Sequence, residues 1–259
     1  MKCLSLTALF LTIPLLATAE IKTRTIDYNQ GGVPLEGYLA YDDAARGKRP
    51  GVLVIHEWDG LGSYVKKRAE QLAGLGYAAF AADIYGKGVR PSGMKECAAE
   101  AGKYKSNHAL FLARIDAGLS ELRKQSEVDP ARIAAIGYCF GGTAVLELAR
   151  SGANIAGAVS FHGGLSTSDP AAPGAVQCPI LVLTGADDPN APPESVAAFK
   201  NEMRKAGAEA RVISYPGAVH GFTNPARGTD NSKGVAYNEK ADKESWEAMK
   251  EFFTRIFSR

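Results

Sequence analysis

The chain has 259 residues, of which 46% are hydrophobic and 22% are charged. These values are ordinary for a globular protein and exclude a fibrous or largely disordered chain. Lys and Arg number 30 against 28 Asp and Glu, giving a formal charge of +2 without a basic run, which argues against nucleic acid as a partner. A chain of this length buries a large core without disulfides or structural metals.

Residues 1–19 have the pattern of a secretory signal peptide. Lys2 supplies the charged start, residues 4–16 are almost wholly apolar, and Ala17-Thr18-Ala19 forms a small-residue cleavage site before Glu20. The apolar run is too short for a membrane-spanning helix of about 20 residues, and the alternative is a buried N-terminal helix. The sequence thus predicts a signal peptide (1–19), a single mature domain (20–259), a periplasmic location and no membrane association after cleavage.

Three cysteines remain after this cleavage: Cys97, Cys139 and Cys178. Because three is odd, at least one thiol is unpaired or pairs with another chain. A pair between Cys97 and Cys178 stays open at this point.

Strands and helices alternate along the mature chain. A leading antiparallel pair, joined through Gly31-Gly32, is followed by short apolar runs typical of strands buried on both faces. The predicted strands cover 21–28, 34–41, 51–55, 77–82, 133–137, 155–161, 180–184 and 211–215. Between and after them, apolar residues at helical spacing predict helices around 65–72, 111–122, 143–150, 192–203 and 246–256. This order indicates an α/β fold in one domain, with a mostly parallel sheet covered by helices on both faces.

Active groups of such sheets lie at the carboxyl ends of the strands. Polar residues follow five of the predicted strands, and so we expect them to collect at one edge. They lie in the segments 56–58, 83–87, 137–141, 185–188 and 216–220.

The most specific of these segments is Gly137-Tyr-Cys139-Phe-Gly141, a G-x-C-x-G version of the nucleophile elbow between a strand and a helix. Composition alone would produce this pattern only about 0.05 times in such a chain. The glycines permit a tight turn, and the N-terminus of the following helix favours a thiolate. Cys139 is therefore the candidate nucleophile, and the alternative is a buried structural cysteine in a glycine turn.

A thiol nucleophile needs a base, and the base needs an orienting carboxylate. In this architecture the order is nucleophile, acid, histidine, which Cys139, Asp188 and His220 satisfy. Asp187 competes with Asp188 for the role of acid. The other three histidines, His56, His108 and His162, are interpreted as hydrogen-bonded structural residues.

Five segments carry a specific signal when they are taken together: His56-Glu-Trp-Asp-Gly-Leu61, Asp83-Ile-Tyr-Gly-Lys87, Gly137-Tyr-Cys-Phe-Gly-Gly142, Gly185-Ala-Asp-Asp-Pro189 and His220-Gly-Phe222. In these segments the sequence resembles the dienelactone hydrolase family of the α/β-hydrolase superfamily. The resemblance runs from about Ile21 to the C-terminus, and it implies the α/β-hydrolase fold without a large lid domain and a Cys-Asp-His triad at Cys139, Asp188 and His220. The family's pattern around the acid favours Asp188 over Asp187.

The resemblance also implies a role for Glu57, which matches a family glutamate that accepts the proton of the resting thiol. A carboxylate in a partly closed pocket has a raised pKa and can act in this way; the alternative is a solvated loop carboxylate. Two backbone N–H groups should form an oxyanion hole, one from Phe140 after the nucleophile and one from Trp58 after the early strand.

Two departures concern the substrate. Family members that cleave dienelactone hold its carboxylate with arginines, but this chain has Lys87 after Asp-x-Tyr-x and Asn224 four residues after the histidine. Lysine attracts a carboxylate as a point charge without a bidentate fork, and Arg227 is expected to reach the site only by loop rearrangement. Lys87 is the candidate substrate-binding residue, with an exposed loop lysine as the alternative.

Other functions find less support. Gly60-Leu-Gly62 lacks the third glycine of a dinucleotide site, where Val65 stands, and no pattern of metal ligands is present. The sequence predicts a hydrolase of small ester or lactone substrates that needs no cofactor or metal. It leaves the oligomeric state open while favouring a monomer. The alternatives are a thioesterase or peptidase on the same fold, and a non-catalytic binding or thiol-redox protein.

Overall fold

A computed structural model describes residues 20–44 and 46–258. The predicted signal peptide lies outside these described residues. No helix among them is long and apolar enough to cross a membrane.

The order of strands and helices agrees with the sequence pattern, except that a further helix covers Met94–Lys105. The strands are β1 (Ile21–Gln30), β2 (Val33–Asp42), β3 (Arg49–Ile55), β4 (Ala78–Ala82), β5 (Val128–Tyr138), β6 (Gly157–Phe161), β7 (Ile180–Gly185) and β8 (Ala210–Tyr215). The helices are α1 (Ser63–Gly74), α2 (Met94–Lys105), α3 (His108–Lys124), α4 (Phe140–Arg150), α5 (Pro193–Ala206) and α6 (Glu239–Phe257).

The strands form one sheet in the order β1-β2-β4-β3-β5-β6-β7-β8. β2 is antiparallel to both β1 and β4, and the pairs from β4 through β8 are parallel. The predicted α/β-hydrolase fold with a mostly parallel sheet is therefore confirmed. The parallel pairing brings the carboxyl ends of β3, β5, β6, β7 and β8 to one edge of the sheet. Most of the predicted site residues follow these strand ends in the chain.

The sheet separates two apolar layers because successive strand side chains point to opposite faces. In β3, Leu53 and Ile55 pack in the layer covered by α2 to α5, whereas Val52 and Val54 pack in the layer covered by α1 and α6. Both faces of the central strands are thus buried, which explains their continuous apolar sequences.

β5 begins earlier than the sequence predicts, at Val128 instead of Ile133. Val128 and Asp129 pair with Arg49 and Pro50, and the register then shifts so that Gly51 pairs with Ile133. The shift leaves Pro130, which has no N–H to donate, outside the regular pairing. The proline therefore marks an irregularity inside the strand, not its boundary.

Candidate active site

The turn from β5 to α4 lifts Cys139 to the carboxyl edge of the sheet. Cys139 has φ 54° and ψ −111°, a conformation that side-chain-bearing residues rarely adopt, and α4 begins at the next residue. A Cβ on Gly137 would lie 2.0 Å from the carbonyl oxygen of Gly141, and one on Gly141 would lie 2.2 Å from that of Ile55. Glycine is therefore required at both positions for the turn to pass this close to β3.

Cys139, His220 and Asp188 form a continuous hydrogen-bonded chain. The Nε2 atom of His220 lies 3.1 Å from Sγ of Cys139, and its Nδ1 lies 3.0 Å from Oδ2 of Asp188. Both distances are within the range of a nucleophile, a base and an orienting acid. The structure thus brings together the three residues that the sequence nominates from the ends of β5, β7 and β8.

The neighbouring carboxylates Asp187 and Asp188 have different environments. Asp188 is 2% exposed, and its second oxygen accepts a 2.8 Å hydrogen bond from the Asn190 amide. Asp187 is exposed to solvent. Only Asp188 is held in a fixed orientation against His220.

His220 favours its protonated form. Burial opposes the charge, but the hydrogen bonds to Asp188 and to Sγ of Cys139 raise the pKa of His220 to about 10. A protonated imidazole beside Sγ stabilises a thiolate there.

Glu57 lies at the carboxyl end of β3 and is also 2% exposed. Its Oε2 atom accepts hydrogen bonds from Nδ2 of Asn224 at 2.5 Å and from Arg227 at 3.0 Å. Burial raises the pKa of Glu57, while the Arg227 charge and the Asn224 amide oppose that rise. These partners of Glu57 do not follow from the sequence pattern, and Arg227 reaches the site without the loop rearrangement that we expected.

The two residues nominated as oxyanion donors, Phe140 and Trp58, line the same cavity as Cys139. Phe140 is the first residue of α4, whose leading N–H groups have no partner within the helix. Trp58 follows Glu57 and is oriented by a 3.0 Å hydrogen bond from the Tyr85 hydroxyl to its carbonyl oxygen. Phe140 packs its ring against His56 and Phe111, which fixes the start of the helix.

A cavity of about 640 Å³ opens over Cys139. Glu57, Trp58, Phe140, His220 and Arg227 line it. The remaining wall comes from α2, from the start of α4 and from the loops after β6, β7 and β8, and consists of Met94, Ala98, Ala101, Lys105, Thr143, Gly164, Leu165, Ser166, Asn190 and Val235. The wall is largely apolar, and the volume suits a small molecule.

Lys87 does not lie among the residues lining this cavity. It is exposed and forms a 2.5 Å ion pair with Asp27 of β1. The structure therefore separates Lys87 from the other nominated residues, in agreement with an exposed loop lysine. The Lys and Arg side chains that line the cavity are Lys105 and Arg227.

The remaining histidines are each hydrogen-bonded away from Sγ. His56 lies between the Glu57 carbonyl and the Ile84 amide, and His108 contacts the Glu147 carboxylate. His162 accepts a hydrogen bond from the Cys139 backbone amide at 3.1 Å, a contact that sequence analysis missed. The sequence offered one indication of this contact, because His162 directly follows β6 and residues after parallel strands lie at the edge that carries the site.

The described part of the chain contains no cluster of three or more His, Cys, Asp or Glu residues able to hold a metal. Cys97, Cys139 and Cys178 are all free thiols. The disulfide between Cys97 and Cys178, which the sequence left open, is therefore not formed.

Comparison with known proteins identifies the family. The model of the dienelactone hydrolase family matches residues 35–257. The chain belongs to the dienelactone hydrolase family. It is therefore a hydrolase of ester bonds with an α/β-hydrolase fold, as the sequence resemblance predicts.

Individual relatives agree with this assignment. A Synechocystis sp. protein provisionally named carboxymethylenebutenolidase is 28% identical over 253 residues, covering 91% of this chain and 98% of the relative. The crystal structure of a dienelactone hydrolase-like promiscuous phosphotriesterase from metagenomic libraries is 37% identical, with a TM-score of 0.85, and covers 91% of this chain and 98% of that one. An acylaminoacyl peptidase of Pyrococcus horikoshii, 16% identical with a TM-score of 0.70, covers 91% of this chain and 42% of its own and shares the fold.

Proposed function

We propose that this chain is an exported hydrolase of small ester or lactone substrates, with Cys139 as nucleophile and a thioester intermediate. The observation that carries the proposal is the hydrogen-bonded chain from Cys139 through His220 to Asp188, whose first two members line the cavity. An ordered acid and base are what nucleophilic catalysis requires and what a redox cysteine does not need.

In the first half of the reaction, the Sγ thiolate attacks the substrate carbonyl carbon and its oxygen becomes an oxyanion. The backbone N–H groups of Trp58 and Phe140 hold that oxyanion. The C–O bond to the leaving group then breaks, and protonated His220 gives its Nε2 proton to the departing oxygen. The product of this half is an acyl thioester on Cys139.

In the second half, neutral His220 accepts a proton from water as the water oxygen attacks the thioester carbonyl. The C–S bond breaks, the carboxylic acid product leaves, and the thiolate and the protonated His220 are restored. Asp188 keeps Nδ1 of His220 protonated throughout, so that Nε2 always faces the reacting atoms.

Glu57 is proposed to accept the proton of the resting thiol. Its burial makes protonation easier than for a solvent-exposed carboxylate. In the present arrangement Sγ contacts His220, while Glu57 is held by Asn224 and Arg227.

The first experiment compares the wild type with Cys139→Ala, using protein that starts at Glu20 under reducing conditions. The substrates are a short aryl ester and a carboxylated enol-lactone. We expect the wild type to hydrolyse the aryl ester and Cys139→Ala to lose the activity. Cys178→Ala is the matched control, because burial raises the pKa of Cys178 to about 12 and leaves it unreactive.

The outcomes separate the alternatives. Hydrolysis of both substrates extends the proposal to acidic lactones, and hydrolysis of the aryl ester alone restricts it to neutral esters. If Cys139→Ala hydrolyses the aryl ester at the same rate as the wild type, the cysteine mechanism is overturned. A folded wild type with a free thiol and no activity favours the binding or thiol-redox alternative.

A second activity, phosphotriester hydrolysis, is favoured by the solved relative at 37% identity, which is a dienelactone hydrolase-like promiscuous phosphotriesterase. Here Sγ would attack phosphorus, the bond from phosphorus to the aryl oxygen would break, and aryl oxide would leave. Water would then attack phosphorus and the P–S bond would break, which releases the dialkyl phosphate and restores Sγ for the next turnover. Continuous release of the aryl alcohol from an aryl dialkyl phosphotriester supports this activity. Release of one equivalent per Cys139 followed by arrest shows inhibition instead.

The periplasmic location is tested with the full chain in a Gram-negative host. We expect the protein in the periplasmic fraction with Glu20 as its first residue, measured by intact mass. Uncleaved protein in the cytoplasm contradicts the signal-peptide prediction.

A further inference from the structure

His162 follows β6 directly and is fully buried. Among the residues that the structure describes, His162 (φ 40°) and Cys139 (φ 54°) are the non-glycine residues with positive φ. Such conformations persist only where the surrounding structure imposes them, and they cluster at functional sites. The two strained residues are in direct contact, since the Cys139 N–H is shared between Nδ1 of His162 at 3.1 Å and the Phe161 carbonyl at 3.0 Å.

The hydrogen bonds of His162 define its tautomer. Nδ1 accepts from the Cys139 amide and must lack a proton, whereas Nε2 lies 2.7 Å from Oγ1 of Thr223 and donates to it. Thr223 in turn lies 2.6 Å from the Tyr64 hydroxyl, which accepts from Nε of Arg68. This polar chain fixes the imidazole from the side opposite the nucleophile.

The surroundings of His162 also keep it uncharged. Burial lowers the pKa of His162 well below its ordinary value, and the charges of His220, Arg227 and Arg68 lower it further. Tyr138, Phe222 and His220 present their rings to it, the last edge-on at 5.3 Å between centroids. A proton on Nδ1 would remove the acceptor for the Cys139 amide and place a second cation beside protonated His220.

We propose that His162 is a positioning residue for the nucleophile: its neutral imidazole, fixed by Thr223, holds the Cys139 amide in the strained turn that keeps Sγ against His220. The inference rests on the proposed function, since it takes Cys139 as the nucleophile. His162 is not a second base, because neither ring nitrogen faces Sγ.

The experiment measures thiol reactivity without a substrate. The variants are His162→Asn, whose side-chain oxygen lies near the position of Nδ1 and whose residue type tolerates positive φ, and His162→Leu, which fills similar space without an acceptor. The rate of Cys139 alkylation by iodoacetamide is followed from pH 5 to 10, with Cys139→Ala as the blank for the buried thiols.

We expect His162→Leu to alkylate roughly tenfold more slowly at pH 7, which corresponds to a displacement of the pH profile by about one unit. We expect His162→Asn to stay within about threefold of the wild type, because the amide acceptor is restored. Equal rates in His162→Leu and the wild type overturn the inference, as does equal slowing in both variants.

Thr223→Val keeps the test decisive if His162→Leu does not fold. It preserves the shape of Thr223 and removes the Nε2 acceptor, so we expect slower alkylation and a displaced pH profile. A folded Thr223→Val protein with the wild-type profile overturns the role of the tautomer. Alkylation requires no ester, so the rate of Cys139 alkylation tests the role of His162 even if the protein hydrolyses no ester. Failure of the ester-hydrolase proposal is seen in the hydrolysis assay, and failure of this inference is seen in the alkylation rates.

Discussion

Asp187 and Asp188 carry the same chemical group at adjacent positions, yet only one contacts His220. The backbone turn after β7 buries Asp188, where the His220 ring and the Asn190 amide each bond one of its oxygens, and leaves Asp187 in solvent. A buried carboxylate with both oxygens bonded is a fixed orienting group. The pair therefore offers a matched test of the proposed triad.

We expect Asp188→Asn to lower kcat for aryl ester hydrolysis by roughly 10²–10⁴-fold, because the amide stabilises neither the reactive tautomer nor the charge of His220. Asp188 contributes to the raised pKa of His220, whose proton is lost as pH rises through about 10 in the wild type. In the variant this loss moves to lower pH. The measurement is kcat against pH, with Asp187→Asn as a control expected to match the wild type; equal losses in both variants would contradict the assignment.

The two cationic candidates for a substrate carboxylate also differ in placement. We expect Lys87→Met to leave KM for a carboxylated enol-lactone unchanged, since Lys87 pairs with Asp27 away from the cavity. Arg227→Met is expected to raise that KM about tenfold, in line with one hydrogen bond to a charged group, and to leave KM for a neutral aryl ester nearly unchanged. A raised KM in Lys87→Met alone would restore Lys87 as the anchor.

At the scale of elements, the site depends on how closely the turn from β5 to α4 passes the end of β3. The Gly141 backbone lies against the carbonyl oxygens of Ile55 and His56, and Gly142 lies against Gly163 after β6. These backbone contacts leave no space for side chains. The position of the nucleophile is thus set by three strands together.

We expect Gly137→Ala to lower the free energy of unfolding by about 1–3 kcal/mol or more, because its Cβ would lie 2.0 Å from the Gly141 carbonyl oxygen. Activity should fall with it, since Cys139 must move. Gly102→Ala in α2 is the matched control, because its Cβ would meet nothing within 4 Å. We expect it to raise the free energy of unfolding by about 0.5–1 kcal/mol, since alanine has the higher helix propensity. Urea denaturation measures both, and a Gly137→Ala protein as stable as the wild type would contradict the packing argument.

At the scale of the whole molecule, two fully buried histidines link stability to pH. His56 donates from Nδ1 to the Glu57 carbonyl and accepts at Nε2 from the Ile84 amide, so it is neutral. Burial lowers the pKa of His56 and that of His162. Because the unfolded chain binds these protons and the folded protein does not, each histidine reduces stability as pH falls below about 6.5.

We expect the stability advantage of the wild type over His56→Gln to narrow as pH falls, by up to about 1.4 kcal/mol per pH unit below pH 6.5. Burial raises the pKa values of Glu57, Asp116 and Asp242, so these groups increase stability as pH falls, opposite to the effect of His56. Their contribution is the same in both proteins and cancels in the comparison. Urea denaturation at pH 8, 6.5 and 5.5 provides the measurement. A gap that stays constant would show that His56 takes up its proton in the folded protein.

The succession of strands and most helices, and the residues nominated for the triad, can be predicted from the amino-acid pattern. Apolar period and glycine position are local properties, and the order of Cys139, Asp188 and His220 follows from which strands they end. The start of β5 was missed because the irregular pairing that accommodates Pro130 depends on its partner strand.

Which side chains meet around the nucleophile depends on the folded chain. Asn224 and Arg227 lie more than 160 residues from Glu57 along the chain, yet they supply its hydrogen bonds, and His162 holds the Cys139 amide from another strand. Lys87, nominated from its sequence position, faces Asp27 instead of the cavity. The physical reason is that hydrogen-bond partners across a sheet edge are set by strand order and loop path, which no local pattern encodes.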